Sequence, residues 1–248
     1  MTDSTYEDRV ITLPVERTLT AARRTAADAA ARQVAGVGAW HVDDWGRDPT
    51  LVNATIRLGQ VRWNTVVGGQ QRLPARAGAL IVVNDRRYSM APIFTALALT
   101  AATGRPVRFV GRSDVAPIGA LARRLGGLLA RPDEVAGALR AGELLVMGAQ
   151  STFHPRRVGR VDHRLIGAAV ATKSGVYPAA TASSPWGRSA RVEVGSVVRP
   201  GARRRGPLIE LELADQIEHR IQRLLDEFGG MQTGTPLDWL PLSGMGGS

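Results

Sequence analysis

The apolar positions of this chain fall into short continuous runs, separated by longer segments in which they recur with helical spacing. Strands are predicted at 65–67, 79–83, 107–110, 143–147, 176–182 and 190–198. Helices are predicted at 14–34, 51–63, 90–103, 118–125, 132–140, 164–173 and 208–228. The run 79–83 is apolar throughout, as in a parallel strand that is covered on both faces. The alternation predicts an α/β fold, with a mixed, mostly parallel sheet covered by helices.

These elements are expected to form a single domain over residues 1–248. Within it, we expect an N-terminal helical segment at 1–40, the core at 45–228 and a flexible tail at 229–248. A length of 248 residues, of which 44% are apolar, suffices for one large hydrophobic core.

The basic charge of the chain comes almost entirely from arginine. The formal net charge is +10, and Lys173 is the only lysine. A charge of this sign attracts nucleic acid, anionic lipid headgroups or phosphorylated small molecules. The basic loops 156–160 and 203–205 are interpreted as solvated surface or as contacts with anionic lipid. Nucleic acid ranks third for these loops and is disfavoured as a partner, because no aromatic residues are interleaved with the arginines.

Composition and motifs disfavour several classes of protein. The chain has no cysteine, which excludes disulfides and thiolate metal sites and is compatible with a cytoplasmic protein. No P-loop, HExxH or GxSxG motif occurs, and the four histidines are scattered, so no metal is predicted. The most apolar stretches are shorter than the roughly 20 residues that cross a bilayer. Membrane association is therefore expected to be peripheral, on the inner face.

Several blocks of the segment 45–198 occur in a distinctive order and spacing. Strand 79–83 is followed by Asn84-Asp85, and Phe109-Val110-Gly111-Arg112 closes the next strand. Met147-Gly148-Ala149-Gln150 closes the strand after that, and Gly175-Val176-Tyr177-Pro178 opens another. In this order the segment resembles the glycerolipid (lysophosphatidate-type) acyltransferases. The resemblance implies their α/β fold, a lipid substrate, no cofactor and, if the protein is active, acyl-CoA or acyl-carrier protein as the donor.

The most specific motifs of that family are altered in this chain. The family carries N-H-x-x-x-x-D, but here Asp85 holds the histidine position and Met90 the aspartate position. In its F-P-E-G motif, the glutamate position holds Ala149. The family's histidine deprotonates the acceptor hydroxyl, and its pKa of about 6.5 suits that task better than the value of about 3.9 for aspartate. The resemblance therefore implies the fold together with impaired catalysis.

By position in these blocks, the resemblance also implies a ligand site. Arg112 is the inferred contact of the acceptor phosphate, with a surface ion pair as the alternative role. The other inferred binding residues are Asn84, Arg86, Gln150 and Ser151.

Two residues are candidates for a replacement base. Asp85 would act as one only if burial raised its pKa strongly; its other role is to cap the strand end or to pair with Arg86 or Arg112. His154 follows the strand at 143–147, where it is either a base close to the pocket or a surface residue.

We therefore predict an acyltransferase-fold protein that is catalytically impaired. It would bind a glycerophospholipid, a lysophospholipid or an acyl chain at the membrane surface, or assist a protein partner. The first alternative is an active lysophospholipid acyltransferase with an unconventional base. The second, motivated by the arginine excess alone, is a nucleic-acid-binding protein, which duplex binding across a salt series would test.

Overall fold

A computed structural model describes residues 42–86, 89–154, 156–183, 188–199 and 208–229. The predicted helix 14–34 and most of the expected tail lie outside these residues. The strands are β1 (Asn64–Gly68), β2 (Ala79–Val83), β3 (Val107–Val110), β4 (Gly127–Leu128), β5 (Leu144–Gly148), β6 (Gly175–Ser183) and β7 (Ser189–Val194). The helices are α1 (Pro49–Arg62), α2 (Ala91–Thr103), α3 (Ile118–Arg124), α4 (Pro132–Arg140), α5 (His163–Ala171) and α6 (Leu208–Glu227).

The strands form one mixed sheet in the order β1-β7-β6-β2-β5-β3-β4. From β6 to β4, all neighbouring strands are parallel. The direction changes once, where β7 pairs antiparallel with the second half of β6, and β1 then pairs parallel with β7. The predicted α/β class with a mostly parallel, mixed sheet is confirmed.

Helices cover both faces of the sheet and divide the core into two clusters. On one face, α4, α5 and α6 pack on alternate residues of the strands, such as Leu80, Val82 and Leu145. On the other face, α2 packs on the intervening residues, such as Ile81 and Val146. All five residues of β2 are buried, which is why this strand has no polar position.

The ends of the elements follow from local chemistry. The Asp48 carboxylate caps α1 by accepting hydrogen bonds from the backbone nitrogens of Thr50 (2.9 Å) and Leu51 (3.1 Å). Gly104 ends α2 in a left-handed conformation at φ +67°, which suits glycine. At the end of α5, Lys173 adopts a left-handed φ of +56°, which is uncommon for a residue with a side chain.

The sequence-based prediction missed one strand and made another too long. Strand β4 was not predicted, because its two residues carry no periodic pattern and are fixed by pairing with Phe109 and Val110. The predicted strand 190–198 ends at Val194, after which the Gly195 nitrogen bonds to the Pro178 oxygen at 2.7 Å. Val198 then makes an isolated bridge with Val176.

A buried cation ties the segment before α1 to the sheet. The side chain of Arg108 on β3 is only 1% exposed; its Nη2 lies 2.6 Å from Oδ2 of Asp43 and its Nε 3.1 Å from Oε2 of Glu143. Burial raises the pKa of Asp43, but the hydrogen bonds from Arg108 and from the backbone of Arg47 and Trp45 outweigh it and hold the pKa below its ordinary value. This stabilising contribution is therefore present above the ordinary aspartate pKa and is lost as the pH falls below it.

We predict that Asp43→Ala and Glu143→Ala together cost about 3 kcal/mol of unfolding free energy, because they leave a guanidinium buried without a partner. Arg108→Met should cost less, since the two carboxylates that it leaves behind are partly exposed and can hydrate. Urea unfolding at pH 7 measures both variants. A larger loss in Arg108→Met than in the double variant would contradict this account.

Candidate functional site

The candidate site lies where the parallel strands β2, β3 and β5 end, because their carboxyl ends meet at one edge of the sheet. Residues 84–86, 111–117, 149–154 and 156–162 follow these strands there. In open α/β sheets, ligands bind at this edge. We refer to it below as the site edge.

Asn84 fixes the end of β2. Its buried side chain donates from Nδ2 to the backbone oxygen of Thr181 (3.0 Å) and accepts at Oδ1 from the Thr181 nitrogen (2.7 Å). On the other side, the Ala149 nitrogen donates to the Val83 oxygen at 2.8 Å. The amide thus extends the pairing of β2 with β6 by one more residue.

Asp85 accepts hydrogen bonds from two serine hydroxyls. Ser89 Oγ lies 2.7 Å from Oδ1, and Ser151 Oγ lies 2.7 Å from Oδ2. The Ser89 oxygen also accepts from the Arg86 nitrogen at 3.2 Å, which closes a tight turn. Burial raises the pKa of Asp85, although these hydroxyl bonds and a backbone hydrogen bond from Arg86 oppose the shift.

The residues at the other altered motif positions differ in how they relate to Asp85. Gly148 makes room for it, since a Cβ built at Gly148 would lie 3.2 Å from Asp85 Cβ and 3.0 Å from Pro92 Cγ. Ala149 is buried in the core cluster with α4, α5 and α6, so its methyl group does not replace a carboxylate at the site edge. Met90 precedes α2 and gives it no side-chain cap.

Arg112 leaves β3 at the same edge, and its pairing corrects one expectation. Its Nη1 lies 3.6 Å from Oδ1 of Asp114, so the suggested pairing of Asp85 with Arg112 is wrong. The Arg112 Nε is buried and has no hydrogen-bond partner among the described residues. With Arg123 and Arg124, Arg112 lines a surface cavity of about 590 Å³. The Asp48 carboxylate pairs with Arg124 at 2.7 Å, so Arg124 is partly neutralised.

The loop after β5 holds the remaining candidates. The Gln150 nitrogen donates to the Arg160 oxygen at 2.7 Å, which closes the loop, and Thr152 makes an isolated bridge with Arg86. Of the candidate residues on this loop, Ser151 is the one that contacts Asp85. His154 is exposed, and its Nδ1 accepts a hydrogen bond from the Arg156 nitrogen at 3.3 Å.

Sequence reasoning singled out Ser151 as a ligand contact but missed its bond to Asp85, and it missed Ser89 altogether. Ser89 could have been found, because serine hydroxyls often bond to backbone groups three or four residues earlier, as Ser89 does with the Arg86 nitrogen. No group of three or more histidine, aspartate or glutamate side chains could hold a metal ion within the described ranges. The described helices also include none that is long and apolar enough to cross a membrane.

Comparison with solved structures bears on this fold. The crystal structure of the 1-acyl-sn-glycerophosphate (LPA) acyltransferase PlsC from Thermotoga maritima matches with a TM-score of 0.56. The two chains are 18% identical, and the match covers 73% of this chain and 80% of PlsC. This protein shares the fold of that enzyme. No protein-family model matches the sequence, and no curated protein does.

We predict that Asn84→Ala lowers the unfolding free energy by about 3 kcal/mol, because it leaves the buried nitrogen and oxygen of Thr181 without partners. Asn64→Ala is the matched control, since Asn64 is an exposed strand residue, and should change stability by less than about 0.5 kcal/mol. Urea unfolding measures the free energy of unfolding of both variants. Equal, small losses would show that the amide is dispensable.

Asp85→Asn should stabilise the protein at pH 7. A raised pKa means that the folded state disfavours the charged carboxylate, a cost that is present above the folded pKa and vanishes below the ordinary value of 3.8. Unfolding curves of wild type and variant should therefore differ at pH 7 and converge below pH 3.8. Asp44→Asn, at an exposed position, is the control and should unfold like the wild type at both pH values. A less stable Asp85→Asn at pH 7 would refute the assignment.

Proposed function

We propose that this protein uses an acyltransferase fold to bind a glycerophospholipid, a lysophospholipid or an acyl chain at a membrane surface, with little or no acyl transfer of its own. The arrangement of Asp85 carries the proposal. Where acyl transfer needs a free base, the carboxylate already accepts from two serine hydroxyls. A base that is weak in water and occupied by donors removes a proton poorly.

Arg112 supports an anionic ligand. Its guanidinium is mostly buried, its Nε has no partner among the described residues, and its ion pair with Asp114 is long at 3.6 Å. A phosphate monoester offers several acceptor oxygens in the geometry that a guanidinium prefers. A lysophospholipid headgroup in the cavity that Arg112 lines would therefore pair with this guanidinium.

A second cavity supports the acyl chain. It measures about 370 Å³ and lies between α1, β1 and α2, with Ile56, Val67, Phe94 and Leu97 among its lining residues. Helix α2 begins at the site edge, and its later turns line this cavity. The lining also includes polar residues such as Gln60 and Gln70, and its apolar part suits a hydrocarbon chain.

The alternative of an active lysophospholipid acyltransferase rests on the same carboxylate. Burial raises the pKa of Asp85, which brings it nearer to the range of a useful base. Turnover of acyl-CoA or acyl-carrier protein by the purified protein, lost in Asp85→Ala or His154→Ala, would establish this alternative. Absence of turnover with a panel of donors would favour the binding role.

Native mass spectrometry with lipid extraction, on protein purified from its own host, should show a co-purifying glycerophospholipid or acyl chain. A lipid-free protein that also fails to bind added lysophosphatidate would refute the proposal and favour a scaffold role with a protein partner.

We predict that Arg112→Gln weakens the binding of a short-chain lysophosphatidate about tenfold or more, because it removes a charge-assisted hydrogen bond. Arg140→Gln is the matched control: it removes the same charge at the exposed end of α4, just before β5 and hence at the opposite edge of the sheet. Isothermal titration calorimetry below the critical micelle concentration measures both. Equal weakening in the two variants would mean that only net charge matters.

A further inference from the structure

The most exposed large apolar side chains of the described residues gather at the site edge. Val115 is 72% exposed, Ile118 70% and Phe153 71%. Val115 and Ile118 follow β3, whereas Phe153 follows β5, the neighbouring strand. Leu121, one turn further along α3, is 53% exposed. Single exposed apolar residues are ordinary, but several on adjacent loops mark a contact surface.

Internal hydrogen bonds hold both loops in place, so these side chains are presented by ordered backbone. After β3, the nitrogens of Gly111 and Arg112 both bond to the Leu128 oxygen at 3.0 Å, and Gly119 packs so closely on the Ser113 carbonyl that a Cβ would lie 2.4 Å from it. After β5, Gln222 of α6 accepts from the Val158 nitrogen at 3.2 Å and donates to the Arg156 oxygen at 3.0 Å.

Exposed arginines lie on the loop after β5 and on the loop after β4, the strand next to β3. Arg131, which follows β4, is well exposed and lies 3.6 Å from Asp114, the acidic side chain that it shares with Arg112. Arg156 and Arg157 are exposed beside Phe153. Exposed apolar side chains among guanidinium groups match the interface of an anionic bilayer, where the former enter the acyl boundary and the latter meet phosphates.

We propose that Val115, Ile118, Leu121 and Phe153, with Arg131 and Arg156, form the face by which this protein docks on an anionic lipid bilayer. The proposal deepens the lipid-binding function proposed above and rests on it for its purpose. Phe153 stands two residues after Ser151, which contacts Asp85, so docking places the site edge against the headgroups. A lipid can then enter the site without crossing water.

Vesicle sedimentation of the full chain tests the face. Wild type should bind vesicles of 30% phosphatidylglycerol in phosphatidylcholine more tightly than pure phosphatidylcholine, and the binding should weaken with salt. Ile118→Ser with Phe153→Ser should lower the partition coefficient at least tenfold. Val66→Ser with Leu208→Ser is the matched control, because these residues are 64% and 66% exposed on β1 and at the start of α6. This control should bind like wild type.

A second pair of variants tests the charges. Arg131→Gln and Arg156→Gln should each lower binding to the anionic vesicles about fivefold, while Arg140→Gln, remote from the face, should not. No vesicle binding by wild type, or equal losses in the face and control variants, would overturn the proposal. Binding that neither pair changes would do the same, because another surface would then hold the vesicle.

The soluble short-chain lysophosphatidate separates this proposal from the function on which it rests. If lysophosphatidate binds while vesicles do not, the docking face is wrong and the ligand site stands. If vesicles bind through the face while lysophosphatidate does not, the face stands and the ligand assignment is wrong.

Discussion

The site depends on one side-chain amide. At Asn84 the strand β2 stops, but β6 continues for four residues to pair with β7. The amide of Asn84 meets both backbone groups of Thr181, which would otherwise be buried without partners on that side. Since Asp85 is the next residue, the same contact sets where its carboxylate points and how far it stands from Ser151 on the neighbouring loop. Two neighbouring residues thus serve two needs: Asn84 satisfies the backbone of β6, and Asp85 places a carboxylate at the site edge.

The buried Arg108 is a second constraint, which acts on the packing of the fold rather than on the site edge. Its two carboxylate partners come from the segment before α1 and from the residue before β5, so one guanidinium joins chain regions that are far apart in sequence. The Arg108 guanidinium would be costly to bury without these partners. This cost fixes where the segment before α1 lies against the sheet. Asp48 adds a further tie, since it caps α1 and pairs with Arg124 at the end of α3. The segment before α1 is therefore bound to the sheet by charge as well as by the packing of Trp45 on the core.

The sequence predicted those parts of the fold whose signals are local. The apolar run of β2 marks its strand over five residues, and the strand is found where expected. Strand β4 and the end of β7 depend on partners distant in sequence, so no local pattern reveals them. The candidate residues Asn84, Asp85 and Ser151 do meet at one edge. Their hydrogen bonds, from Asn84 to Thr181 and from Ser151 to Asp85, could not be predicted without the register of β2 with its neighbours β6 and β5. Their roles in binding remain proposals.

Lys173 offers a practical consequence of the almost exclusive use of arginine. The only lysine side chain follows α5 and precedes β6, and it is exposed. Because β6 runs in the same direction as β2, its start lies at the sheet edge opposite Asp85. A fluorophore or tether attached to this side chain would stand far from the proposed docking face. Molecules immobilised through Lys173 would present that face to the solution.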